Sequence, residues 1–512
     1  MSTIQQQAHQ RSPGSRRGRT PAPPQARRAV ASGTFGSALE WFDFAVYGAM
    51  AATVFPALFF TGMGEAAGLL ASFATFGVGF FARPLGGIVF GHLGDKVGRR
   101  RILLVTFVSM GLASLVIGLL PSVSQIGVAA PVLLVAMRFV QGFALGGEAT
   151  GAQLMTMEHA PGDRRAFYGA LMAMGSPISQ VAANLALTLL SATLSEQAFM
   201  SWGWRVPFLA SILLVAVGVY IRFKVEETPV FREDVAEAAA ATSTPAEVLR
   251  GHGATIVRLI LAFSPIVITF YVVSVYGLSY LTGIGFSRSQ TFTIVTIANL
   301  CSVVAIWCGG RAADRFGRRR VLMTGSAGTL VAAVVFFPVV GTGSFPAALL
   351  MVSFALVCAQ FGNAGQGALF AEAFPTRMRY TGSALALTGT NLLFAAPAPF
   401  LASWLLDVSG GSTLGITVFW AVTIVVALLV MARMGDYRTL EGERHHFDGR
   451  RDADLADGRD PDRADDGGAD PAGDHADDRA DDRADDRAEQ ATPTSNALSA
   501  APRQADHTVG GV

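Results

Sequence analysis

Charge is scarce in this 512-residue chain: 15% of its residues are Asp, Glu, Lys or Arg, while 51% are hydrophobic. A water-soluble chain of this length would divide into several domains built from amphipathic helices, each with a polar stripe. Here the charges gather between apolar runs of about 20 residues, the length needed to cross a hydrocarbon core. Cysteine is almost missing too. Cys301, Cys308 and Cys358 are the full set, and all three fall inside apolar runs with no metal-ligand spacing and no His partner. They are read as packing residues that report no redox compartment. The polar segments carry no phosphate-binding Gly loop, no Ser, His and Asp grouping and no His and Cys cluster, which argues against an enzyme and against an ATP-driven machine. No cofactor, metal or nucleic acid is expected as a partner.

What is present is a set of twelve candidate spans, centred near residues 45, 79, 111, 142, 179, 213, 270, 300, 330, 358, 392 and 424. A bilayer offers no water to satisfy the backbone, so such runs must be helices, and the fold class is all-α integral membrane. A polar stretch at 224–253 separates a bundle at 32–223 from a second at 254–435, giving two six-helix halves with a linker between them. The leader, 1–31, holds six arginines and no acid. It is expected to be a disordered arm rather than a secretory signal, because the first span is too long for an h-region. The tail, 436–512, repeats Ala-Asp-Asp-Arg from Ala476 to Arg487 and is too poor in apolar residues to order itself. Arginines crowd the leader and the connections after the even-numbered spans, so the positive-inside rule places both termini, the linker and the tail in the cytoplasm of a multi-pass plasma-membrane protein.

The two halves share a motif. Gly91-His-Leu-Gly-Asp-Lys-Val-Gly-Arg-Arg-Arg101 returns as Gly310-Arg-Ala-Ala-Asp-Arg-Phe-Gly-Arg-Arg-Arg320. One offset maps Asp95 onto Asp314, Gly98 onto Gly317, and Arg99 and Arg100 onto Arg318 and Arg319. Glycines permit a tight turn between neighbouring spans, the aspartate accepts hydrogen bonds near a helix terminus, and the arginines stay at the wet face among acids or lipid phosphates. The motif is therefore read as a latch between spans rather than a substrate site. These residues resemble the signature loop of the major facilitator superfamily, in which the loop controls alternation between inward-open and outward-open states. The resemblance covers residues 32 to 435 and implies the family's twelve-helix fold.

Three further strings narrow the resemblance to the metabolite:proton symporter branch. They are Gly36-Ser-Ala-Leu-Glu-Trp-Phe-Asp-Phe-Ala-Val-Tyr-Gly48, Gly79-Phe-Phe-Ala-Arg-Pro-Leu-Gly-Gly87 and Arg138-Phe-Val-Gln-Gly-Phe-Ala-Leu-Gly-Gly-Glu148. Glu372-Ala-Phe-Pro-Thr-Arg377 adds to them. The resemblance implies proton-driven uptake of a small organic acid, of oxoglutarate, citrate or shikimate type, or of a zwitterion of proline or betaine type. The alternatives are a sugar or drug transporter of the same superfamily and a non-transporting membrane sensor.

The residues support that reading independently, because an ionisable group inside a bilayer costs several kcal/mol unless it is paired or hydrated. Glu40, Asp43 and Tyr47 share one face of span 1 at i, i+3 and i+7, and Arg138, Gln141 and Glu148 share one face of span 4. Counting helical rise from the membrane entry points levels Glu40 with Arg83 of span 2, and Asp43 with Arg138. Glu40, Asp43 and Glu148 are the proton-coupling candidates, with Glu148 alternatively serving the gate. An arginine fork binds a carboxylate through two parallel hydrogen bonds and stays charged, so protonation of an acid could release an arginine for substrate; the alternative is a static ion pair locking spans 1, 2 and 4. The second half lacks mid-membrane acids, and supplies neutral Tyr271, Ser274, Tyr276, Asn299, Gln360, Asn363, Gln366 and Asn391. With Ser176, Gln180 and Asn184 of span 5, Tyr271, Gln360 and Asn363 are candidate substrate contacts, interhelical hydrogen bonds being the alternative. Pro177, Pro265, Pro397 and Pro399 mark helices able to bend.

Overall fold

In the computed structural model the described residues are 38, 41–97, 99–146, 164–224, 244–375 and 378–435. They form twelve long helices: α1 (41–53), α2 (Glu65–Val97), α3 (Arg99–Leu119), α4 (Ala129–Leu145), α5 (Arg165–Thr193), α6 (Val206–Lys224), α7 (Pro245–Gly283), α8 (Arg288–Phe316), α9 (Arg318–Val340), α10 (Phe345–Glu372), α11 (Arg379–Val408) and α12 (Leu414–Arg433). Every sequence-predicted span has its helix. The outer surface is apolar, with Ile88, Leu213, Val304 and Leu350 all more than 60% exposed. In water that surface would be a severe liability; against lipid tails it costs nothing. Cys301 and Cys308 lie on this exposed surface rather than in the packing between helices, while Cys358 is half-buried against Gly328.

The repeated motif is not a loop. In its second copy Gly310 to Phe316 are the last turns of α8, and α9 begins at Arg318, so the connection is Gly317 alone. Gly317 has φ +98°, a conformation that side-chain-bearing residues rarely adopt. The first copy has the same layout, α2 running to Val97 and α3 starting at Arg99. The second half also begins earlier than the linker boundary suggests. Thr244 caps α7 through the Glu247 amide, Glu247 reaches back to the Thr244 amide, and Pro245 fills the first turn. A kink at His252 divides that first segment from the membrane-crossing remainder.

Proline breaks are resolved by neighbouring groups. Pro265 cannot donate to the Leu261 carbonyl, and the Ser264 hydroxyl does so instead at 2.8 Å. Farther along, α7 opens into a π-helical turn at Val272–Tyr276, and α11 does the same at Asn391–Ala395, just before Pro397 and Pro399. The Ala396 amide bonds to the Asn391 carbonyl, five residues back, because the proline-rich stretch cannot keep the regular ladder.

Packing within the first half depends on glycine. A Cβ on Gly86 would sit 1.8 Å from the Phe143 carbonyl oxygen, one on Gly142 2.0 Å from the Gly79 oxygen, and one on Gly146 2.0 Å from the Arg83 oxygen. Along this seam α2 and α4 touch backbone to backbone, the membrane device of small residues at a helix interface. Between the halves, α2 meets α11 and α5 runs along α8. Gly86→Ala is expected to lower the thermal unfolding midpoint of detergent-solubilised protein by the equivalent of about 1–3 kcal/mol of overpacking. Gly251→Ala, where a Cβ meets open space, should leave the midpoint unchanged.

Candidate functional site

The polar centre of the first half lies where α1, α2, α3 and α4 converge. Arg138 is fully buried, and Asp43 and Gln141 nearly or wholly so. Arg138 and Asp43 make no direct hydrogen bond. Arg138 Nη1 donates to Gln141 Oε1 at 2.5 Å, Gln141 Nε2 donates to Ser114 Oγ at 2.7 Å, and Ser114 Oγ donates to Asp43 Oδ2 at 2.7 Å. Arginine can only donate, so the carbonyl of Gln141 must face it and the amide must face Ser114. Every bond in the chain thus points from the cation toward the anion. Both amide atoms of Gln141 are engaged in this chain, which makes the residue a bridge between α3 and α4.

Aromatic rings surround the guanidiniums. Arg138 lies 4.1 Å from the ring centroids of both Phe44 and Tyr47 and 5.1 Å from that of Phe76; Arg83 lies 4.4 Å from Phe44 and 5.1 Å from Phe80. Phe44 therefore contacts both cations and keeps them no farther apart than those two distances combined. The ring quadrupoles offset part of the desolvation of two buried charges. Gly79 completes the niche, since a Cβ there would collide with Arg138 Nε at 2.7 Å. The Tyr47 hydroxyl pairs with Thr75 Oγ1 at 2.7 Å, and because the Thr75 proton goes to the Ser72 carbonyl, Tyr47 is the donor.

From the second half Tyr271 reaches this centre, its ring 5.8 Å from Phe76 and 5.6 Å from Phe80. The other neutral candidates are engaged locally. Asn363 Nδ2 donates to Gln360 Oε1 at 2.8 Å, and Asn184 Nδ2 to the Gln180 carbonyl at 2.9 Å, one helical turn away in each case. Ser176 is half-buried in α5, and its neighbour Ser179 makes the cross-helix contact, donating to the Ala38 carbonyl. Glu40, Glu148 and Gly98 lie outside the described residues, as do the side chains of Gly91, Asp95, Arg99 and Arg100.

The second motif copy makes the contacts expected of a latch between helices. Both carboxylate oxygens of Asp314 accept amides at the start of α5: Ala166 at 3.0 Å and Phe167 at 2.9 Å. An acid from one half thus caps a helix of the other, satisfying amides that have no intrahelical partner. Gly310 lets the helices close, since a Cβ there would come within 2.6 Å of Ala170. Arg318 pairs with Glu372 of α10 at 2.9 Å, tying the latch to the Glu372 segment. Arg319 does something else. Its Nε and Nη2 donate to the Met431 and Ala432 carbonyls, capping the last turn of α12 within its own half. At the opposite end of the bundle, Arg288 pairs with Glu196 and donates to the Thr53 carbonyl.

Sequence reasoning missed Ser114, Phe44 and Gly79. Ser114 is one serine in an apolar run, and Phe44 and Gly79 stand inside motifs whose glycines and aromatics had no assigned task. Only the helix packing gives them one.

Membrane-crossing helices packed around a buried charge centre, with helix-end contacts at Asp314, are the architecture of a membrane transporter. Residues 33–307 and 278–455 match the model of the Major Facilitator Superfamily, and the chain belongs to that family, whose members move solutes rather than transform them. It is 39% identical over 388 residues to the inner membrane metabolite transport protein YhjE of Escherichia coli, covering 74% of this chain and 87% of that one. To the shikimate transporter of Escherichia coli it is 36% identical over 415 residues, or 80% of this chain and 95% of the relative. Among solved structures, the D-xylose-proton symporter superimposes with a TM-score of 0.64 at 17% identity, covering 80% of this chain and 98% of the other, which shows the shared fold.

Asp314→Ala should raise amide deuterium uptake in the segment Arg165–Ala173 from about twofold to about thirtyfold, the range that losing a helix cap of roughly 0.5–2 kcal/mol allows. Unchanged uptake there would remove the capping role.

Proposed function

We propose that this transporter imports a small organic acid or zwitterion across the plasma membrane by proton symport, alternating between inward-open and outward-open states. The observation that carries the reading is the hydrogen-bonded chain from Arg138 to Asp43. It holds a fixed cation and a titratable acid in one buried layer, and Nε and Nη2 of Arg138 have no hydrogen-bond partner among the described residues. Those two atoms form the side-on edge of the guanidinium, the edge that takes a carboxylate through parallel hydrogen bonds; here it is buried against Gly79 of α2, so the reading requires α2 and α4 to part as substrate enters. A substrate carboxylate there, with a proton on Asp43, brings in one negative and one positive charge together. The neighbouring Arg83 and the Tyr47 and Tyr271 rings supply further contacts for a small planar or zwitterionic solute. The names of the relatives, a metabolite transport protein and a shikimate transporter, agree with a carboxylate cargo and an inner-membrane location.

Contacts at the two ends support the alternation. Asp314 on α5 holds the arginine-rich end closed, while the Arg288 pair with Glu196 holds the other, so each end has its own releasable contact between halves. The positive-inside distribution supports a cytoplasmic location for the arginine-rich end and both termini.

In proteoliposomes under an imposed inward proton gradient, labelled small organic acids and betaines are expected to accumulate. A panel that binds, by thermal shift, without accumulating would identify a sensor instead. Arg138→Lys keeps the charge but not the fork, and should cut uptake roughly tenfold or more while insertion stays normal, as expected for loss of a charge-assisted hydrogen bond. Asp43→Asn should abolish gradient-driven accumulation but retain substrate counterflow. Normal accumulation in that variant would take Asp43 out of the coupling role.

A further inference from the structure

We infer that Ser114 is the positioning residue through which the protonation state of Asp43 is communicated to Arg138, with the proton arriving at Asp43 Oδ1 and the substrate anion at the far end of the same hydrogen-bonded chain. The inference rests on the proton-symport reading above. Its basis is the proton inventory of the chain. A serine hydroxyl has one proton and two lone pairs. Ser114 uses its proton on Asp43 Oδ2 and one lone pair on Gln141, so its orientation is set by the charge on the carboxylate. Asp43 Oδ1 is buried and has no hydrogen-bond partner among the described residues. The unpaired atoms of Arg138, Nε and Nη2, stand at the other terminus.

A proton can therefore bond to Oδ1 without breaking any link. The carboxylate becomes a neutral acid, and Oδ2 changes from a charged acceptor into a carbonyl acceptor. Charge-assisted bonds are roughly twice as strong as neutral ones, so the bond from Ser114 slackens, the bonds behind it lose their mutual polarisation, and Arg138 keeps its charge with its counterion gone. An anion at Nε and Nη2 then replaces what Asp43 supplied. On release toward the other side of the membrane the proton leaves Oδ1, and the restored carboxylate draws the chain back. The charged and titratable groups around this chain among the described residues are Arg83 of α2, Arg138 of α4, Tyr47 of α1 and Tyr271 of α7. From α3 and α6 come only the neutral hydroxyls of Ser114 and Ser211. Ser114 is the hydrogen-bonded link between Asp43 and the Arg138–Gln141 pair.

The test compares Ser114→Ala, Ser114→Cys and Ser114→Thr in proteoliposomes, each measured for gradient-driven accumulation and for counterflow at equal pH on both sides. Removing the hydroxyl should lower accumulation roughly tenfold, the effect of losing one charge-assisted hydrogen bond on an equilibrium, while counterflow stays within about twofold. Thr, which keeps the hydroxyl, should restore accumulation, and Cys, a weak donor of similar size, should behave like Ala and serves if Ala fails to reach the membrane. Accumulation at the wild-type level in Ala or Cys overturns the relay, as does an equal loss of accumulation and counterflow, which marks a packing role. Asp43→Asn in parallel separates the two levels. If Asp43→Asn accumulates normally, the symport assignment of Asp43 fails; if it is uncoupled while Ser114→Ala remains coupled, only the relay fails.

Discussion

A guanidinium at zero exposure inside an apolar bundle is the constraint on which the rest of the first half depends. Arg138 cannot shed its charge, and an uncompensated ion in a low-dielectric core costs several kcal/mol. The protein compensates it by the directed chain to Asp43 and by the ring faces of Phe44, Tyr47 and Phe76, while Gly79 leaves room on α2 for the guanidinium. The chain spans α4, α3 and α1 because those helices lie at contact distance, while the glycine seam brings α2 against α4 beside it.

The second half meets a different requirement. Its mid-membrane polar groups are neutral, and several bond within a helical turn or to a neighbouring helix, as Trp420 does to Thr269 at 2.9 Å. Its charges lie at helix ends, where arginines and acids satisfy backbone groups that a membrane helix leaves exposed: Asp314 on α5, Arg319 on α12. Two related halves thus differ in where their charge lies among the described residues, in mid-membrane in the first and at helix ends in the second. The π-helical turns in α7 and α11 place local backbone freedom beside the surface that faces the first half.

How much of this was legible in the chain differs by scale. The twelve spans could be read because length and hydropathy are local properties that the bilayer enforces directly. Asp43 and Arg138 stood out because charge is rare there, and helical rise alone placed them at one level. The bridge between them did not stand out. Ser114 is a small polar residue of a kind common in membrane helices, and nothing local to α3 says that it meets α1 on one side and α4 on the other. Gln141 was legible as a polar residue on the correct face, but its two bonds depend on which neighbours the packing supplies. Arg319 shows the same limit, since its motif position suggests a latch and its contacts are a cap on α12.

The sequence by itself determined the membrane class, the twofold repeat, the positions of the helices and the identity of the buried charges, because each follows from local chemistry in an apolar solvent. Only the tertiary structure decided that Asp43 and Arg138 are linked by hydrogen bonds through Ser114 and Gln141 rather than by direct contact, and that Phe44 touches both arginines. Those relations depend on the distances and rotations between α1, α2, α3 and α4. The packing of Gly79, Gly86, Gly142 and Gly146 against backbone carries that information, and it exists only once the helices have met.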